Sequence, residues 1–90
     1  MPHEWEPIIL AALAGIEPYE VLQALSSPRR LPKPGTSGGV RVVAVFARTG
    51  AGRPLMVLLR PRDGLTTRIV GVREMTAAEL EMFTRWEAQQ

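Results

Sequence analysis

The sequence predicts an α+β domain: a small antiparallel β-meander of three to four strands, packed with two N-terminal helices and one C-terminal helix. Three observations carry that expectation. Apolar, β-prone runs at Val40 to Arg48, Leu55 to Arg60 and Thr66 to Val72 follow one another with turn signals between them. Two short helical segments, each opened by a proline, precede those runs. After them, Thr76-Ala77-Ala78-Glu79 has the pattern of a helix capping box. At 90 residues the chain is read as one domain, residues 1–90.

His3 to Trp5 suits a brief edge strand. Glu6-Pro7 then leads into Ile8, Ile9, Leu10, Ala11, Ala12 and Leu13. Pro7 fits the first helical position, where its missing N–H costs nothing. Gly15 is placed to end that helix in a left-handed conformation. A second helix is expected from Pro18, with Glu17 near its cap and Glu20 in its first turn, where acids favour the positive end of the dipole. Val21, Leu22 and Leu25 form its expected core stripe. The apolar first helix covers more than one face, which fits either burial in a small core or contact with a protein partner or a second copy.

Ser26 to Gly39 contains three prolines, three glycines and the bases Arg29, Arg30 and Lys33. Such a segment is neither a helix nor a central strand, so residues 26–39 are expected to form a basic loop beside the sheet. A mobile connector with solvated charges is the plainer alternative. Thr49-Gly50-Ala51-Gly52 and Pro61-Arg62-Asp63-Gly64 mark turns between the three strands, and short connections imply antiparallel neighbours. Helices are expected over one sheet face, with arginines on the other and at the strand ends. In the final helix Leu80, Phe83 and Trp86 share a face, with Glu81, Arg85 and Glu87 mostly opposite.

Charge is sorted by segment. Arg29 to Arg73 holds ten basic residues and one acid, Asp63, a net of +9; the remainder holds eight glutamates and Arg85, a net of −7. A basic segment rich in arginine suits bidentate phosphate binding and points first to nucleic acid. Without cysteine there is no disulfide framework and no thiolate site, and a single histidine, His3, excludes a histidine pair. Neither a metal site nor a cofactor is expected. No apolar run reaches the roughly 18 residues that span a bilayer, and no signal peptide is evident, so a cytoplasmic location without membrane contact is expected. Gly50-Ala51-Gly52 is too short for a phosphate loop and reads as a hairpin turn.

The arginines remain as candidate chemistry. Following the meander up, down and up brings Arg48, Arg53 and Arg73 to one edge of the sheet, with Arg41, Arg60 and Arg62 at the other. Clustered guanidinium groups hold phosphate and stabilise charge developing on it. The alternative is solvated strand ends, or pairing with the helical glutamates.

The order of elements and several short motifs resemble the BrnT family of type II toxins, ribonucleases with a RelE-like fold. The matching residues are Trp5-Glu6-Pro7, Gly15-Ile16, Val21 to Leu25, Arg48-Thr49, Gly52-Arg53-Pro54-Leu55, Ile69-Val70-Gly71-Val72-Arg73, Met75-Thr76, Glu79 and Phe83. The resemblance implies a RelE/BrnT-like fold and metal-independent RNA cleavage, in which the ribose 2′-hydroxyl attacks the adjacent phosphate while basic side chains neutralise it. It implies a cognate antitoxin protein as partner. It assigns catalytic roles to Arg53 and Arg73 and RNA contact to Trp5, while Arg48 is added to the catalytic set by its place at the same edge of the sheet. The family usually has a lysine in the first helix and a Lys-His pair before the glycine; here those places hold Ile8 to Leu13 and Ala14-Gly15. Either activity is reduced or lost, or His3, Arg41 and the Arg29, Arg30 and Lys33 segment substitute. Two functions follow: a toxin endoribonuclease, or a catalytically degenerate homologue that binds RNA or a protein.

Overall fold

The computed structural model of the chain describes residues 3–5, 15–61 and 67–90. Their elements, in order, are β1 (His3–Trp5), α1 (Pro18–Leu25), β2 (Leu31–Ser37), β3 (Val40–Arg48), β4 (Pro54–Pro61), β5 (Thr67–Glu74) and α2 (Ala77–Glu87). The strands form one sheet in the order β1-β5-β4-β3-β2. Strands β2 to β5 are an antiparallel meander, and β1 pairs parallel with β5.

The expected architecture needs correction. The described residues carry two helices, one early and one C-terminal, so the three-helix RelE/BrnT-like arrangement is not matched. The predicted first helix, over Ile8 to Leu13, lies outside the described residues, as does most of the predicted turn from Pro61 to Gly64. The antiparallel meander has four strands, within the expected three to four, and β1 joins it as the expected brief edge strand; what the sequence placed as a 26–39 loop is in large part strand β2.

Its prolines explain how. Pro32 and Pro34 are two residues apart, so their missing donors fall on one side of the strand. A strand at the sheet edge has a side that needs no partner. Seven residues pair with β3, from Leu31 opposite Phe46 to Ser37 opposite Val40. Gly38 and Gly39, with φ of 59° and 79°, make the two-residue hairpin turn between them.

Side-chain alternation divides the core in two. On the first face, Val45, Ala47, Leu55, Val57 and Ile69 pack under Ile16, Val21 and Ala24 of the α1 region. On the second face, Phe46 and Met56 pack with Met75 and Phe83 beneath α2. The helices thus lie on opposite faces, where one shared covered face was expected. Within α1, Val21 and Ala24 are buried while Leu22 is 47% exposed, so the core stripe runs through Ala24 instead of Leu22. The smaller alanine lets the helix lie close to the sheet.

Local signals hold at both helix starts. Glu17 donates its backbone N–H to the Glu20 carboxylate at 3.0 Å, with Pro18 at the first helical position. Thr76 and Glu79 form the reciprocal capping box, with bonds of 2.9 and 3.2 Å. Gly15 and Gly52 have φ of 74° and 91°, the left-handed region their turns require. Strand β5 runs on to Glu74, which places Arg73 inside the strand and not in the connection beyond it.

Candidate nucleic-acid interface

Cross-strand register gives the second face three rows of residues. Leu31, Phe46, Met56 and Arg73 form the row nearest α2. Lys33, Ala44, Leu58 and Gly71 form the next, and beyond it Gly35 pairs with Val42 and Arg60 with Arg68. Helix α2 packs over the first row and reaches Ala44 and Leu58 of the second, and among the described residues no other element packs over this face. The middle row contains alanine and glycine where a larger residue would fill the surface. The sheet therefore holds a groove of about 390 Å³, lined by Lys33, Thr36, Val42, Ala44, Leu58 and Arg73, with Glu79 at its α2 border.

A second hollow of about 280 Å³ shares Val42 and Leu58 with the first and adds Val40, Arg60 and Val70. Register shifts between Leu58 and Leu59, which face Gly71 and Ile69, so Val70 is the extra residue of a β-bulge. That irregularity adds Val70 to the lining beside Arg60. Together the hollows form a shallow apolar floor with Lys33 at the β2 side, Arg60 at the far end and Arg73 beside α2.

Arg48, Arg53 and Arg73 do share one end of the sheet, since Arg48 pairs with Pro54 and Met56 with Arg73. They do not form one cluster. Arg53 belongs to the α1 side: its Nε donates to Glu74 at 3.0 Å, and its Nη1 donates to the Gly15 carbonyl at 2.8 Å and to Glu20 at 3.3 Å. These carboxylates, Glu74 first, raise its pKa further. Arg48 lies along α2, donating to both Glu87 oxygens at 3.2 Å, with its guanidinium 5.6 Å from the Phe83 ring centre.

Arg73 donates to Glu79 through two parallel bonds of 2.6 and 2.9 Å. The hydrogen bonds from Arg73 hold the Glu79 carboxyl at about 2, with lesser help from Thr76, and raise the Arg73 pKa in turn. Glu79, Phe83 and Glu87 follow one another at four-residue intervals on α2. Eight residues at 1.5 Å rise separate the two carboxylates by about 12 Å along the axis. The helix thus keeps Arg73 and Arg48 apart, each on its own glutamate.

The other candidates are dispersed. Arg41 is exposed on the first face, opposite Thr36. Arg29 and Arg30 are exposed before β2, where Arg30 donates to the Ser27 carbonyl at 2.8 Å. Trp5 is opposite Ile69 in the β1–β5 register, and Arg62 lies outside the described residues. Of the expected RNA-binding set, the groove gathers Lys33. It adds Arg60, which the sequence reading placed at the sheet's other edge without a role. Alternation could have found it, since Arg60 shares a face with Leu58 and Met56. Among the described residues, no group of three or more His, Cys, Asp or Glu side chains is arranged to hold a metal. No helix among them is long and apolar enough to cross a membrane.

The fold defines a small α+β domain with an open, cation-rimmed sheet surface. No family model and no curated protein matches the chain.

Proposed function

We propose that this chain binds single-stranded RNA across the open half of its second sheet face. The observation that carries this reading is the groove itself, an apolar floor of Val42, Ala44 and Leu58 rimmed by Lys33, Arg60 and Arg73. An apolar floor accepts base faces irrespective of sequence, while the rim cations follow the phosphates. The short motifs shared with BrnT toxins support the same ligand and a cytoplasmic protein with a cognate antitoxin as its partner. Binding is favoured over cleavage because Arg48, Arg53 and Arg73 are each engaged by a carboxylate, which must be displaced before the guanidinium stabilises a transition state.

A labelled single-stranded RNA oligonucleotide, titrated at several salt concentrations, tests this. Binding is expected to weaken with salt, and each of Lys33→Ala and Arg60→Ala should flatten the logarithmic salt slope by about 0.7. No binding at low salt, or binding indifferent to both substitutions, would overturn the reading. The toxin endoribonuclease is the second reading, favoured by the shared position of Arg48, Arg53 and Arg73 at one end of the sheet. It requires metal-independent RNA cleavage that Arg73→Ala abolishes, and growth arrest on expression. Intact RNA and harmless expression would remove it.

A further inference from the structure

We infer that Glu79 is a resident counter-ion that occupies Arg73 in the free protein and yields it to a phosphate of the bound ligand. The inference rests on the anion-binding reading of the groove and assigns a regulating contact within it. Of the three arginines at this end of the sheet, Arg73 is the one that lines the groove. Its guanidinium spends both parallel donors on Glu79, in the geometry by which the same fork grips a phosphate. Both side chains remain within reach of water, with 47% of Arg73 and 24% of Glu79 exposed. An incoming anion therefore reaches the pair from the groove side without unpacking the core.

What makes the contact exchangeable is the second task of Glu79. Its Oε1 also accepts from the Thr76 backbone N–H at 2.9 Å, and its own N–H donates to Thr76 Oγ1 at 3.2 Å. The capping box holds the carboxylate at the start of α2 independently of Arg73. When Arg73 turns to a phosphate, the helix keeps its cap and Glu79 stays at the groove border. Arg53 is unlike it, because two glutamates and a backbone carbonyl hold that guanidinium on the other side of the sheet. Arg48 is unlike it too, being seated against the Phe83 ring. Glu79 thus lowers the resting affinity for anions and sets a threshold that a weak or singly charged ligand does not pass.

Glu79→Gln separates the two tasks, since glutamine serves in a capping box but carries no charge. Two probes are used on the full chain: a single-stranded RNA oligonucleotide and inorganic pyrophosphate. The substitution is expected to tighten binding of both about fivefold, the scale of one released surface ion pair. For RNA it should also steepen the logarithmic salt slope by about 0.7. In an Arg73→Ala background the same change should give no gain, which a merely structural role for Glu79 would not produce. In the unaltered protein, the Glu79 carboxyl carbon resonance should move on saturation with pyrophosphate.

The inference is overturned if Glu79→Gln binds neither probe more tightly while retaining its helix content, or if that resonance stays still at saturation. Tighter pyrophosphate binding without any RNA binding would leave the counter-ion in place and remove RNA as the ligand. RNA binding that is sensitive to Lys33 and Arg60 but indifferent to Glu79 would do the reverse.

Discussion

The two faces of the sheet use the same ingredients, an apolar layer under one helix with arginine–glutamate pairs at its border, yet they end in different states. On the first face the β-branched and leucine side chains of three strands continue beneath Val21 and Ala24, and Arg53 is held by Glu74, Glu20 and the Gly15 carbonyl. On the second face the large side chains, Phe46, Met56 and Phe83, gather under α2. In the row beyond them Ala44 and Gly71 take the places of larger side chains on either side of Leu58, and the groove opens. Residue size along a row, more than hydrophobicity, decides where the sheet is sealed. The same positive side chain is a structural tie at the sealed place and a candidate ligand contact at the open one.

The strongest way to break this comparison is to remove the anchor of the second face. Phe83 is fully buried and lies between the Glu79 and Glu87 ion pairs that tie α2 to the sheet. Phe83→Ala should cost about 3–5 kcal/mol in denaturant unfolding, the range for a large buried aromatic. It should also release Arg48, whose guanidinium rests on that ring. A cost below about 1 kcal/mol would mean that α2 does not seal its half of the face.

The contrast between the faces was not legible in the sequence, which predicted both helices on one face, but several of the local devices beneath it were, for physical reasons that differ from place to place. The Thr76–Glu79 cap is a local, four-residue device, so neither register nor packing was needed to read it. The turn at Gly50 to Gly52 was legible because it needs a residue that tolerates positive φ. Strand β2 was not, because prolines argue against a strand unless the strand is known to be an edge, and edges are set by the whole sheet. The partners of Arg48, Arg53 and Arg73 were equally hidden. Glu87, Glu74 and Glu79 lie 39, 21 and 6 residues away in sequence, and only the packing of α2 brings the first and last to their arginines. Leu22 shows the limit of helical periodicity: at 47% exposure it lies outside the stripe that Ala24 occupies. Arg60 was placed correctly at its end of the sheet, but its neighbours on the second face depended on the register with β3 and β5.

A smaller effect tests whether the cap and the ion pair of Glu79 are separable. Thr76→Ala removes the acceptor for the Glu79 N–H and should lower stability by about 1 kcal/mol, measured in denaturant. Acid probes the ion pair directly. The Glu79 carboxyl sits at about 2 in the folded chain against an ordinary value of 4.5, so the folded state favours its ionised form. That contribution is fully present above 4.5 and is lost as pH falls towards 2. Between those limits Glu79→Gln should shed less stability with falling pH than the unaltered protein. Parallel acid limbs would show that the Arg73 contact contributes nothing to folding.

The smallest expected effect sharpens the distinction between a pair that does something and one that merely exists. Glu81 and Arg85 pair on the outward side of α2, four residues apart, with both side chains more than two-thirds exposed. Water competes for both charges, and side-chain ordering offsets most of what remains, so Glu81→Gln should change stability by less than about 0.5 kcal/mol. The same substitution should leave RNA affinity and its salt slope unchanged, because Arg85 is not among the groove's lining residues. Glu81→Gln and Glu79→Gln remove the same charge from the same helix two residues apart. Equal effects on RNA binding from both would mean that net charge alone governs it, and that the Arg73 contact has no special standing. A response confined to Glu79→Gln ties the effect to the one guanidinium that the groove shares with α2.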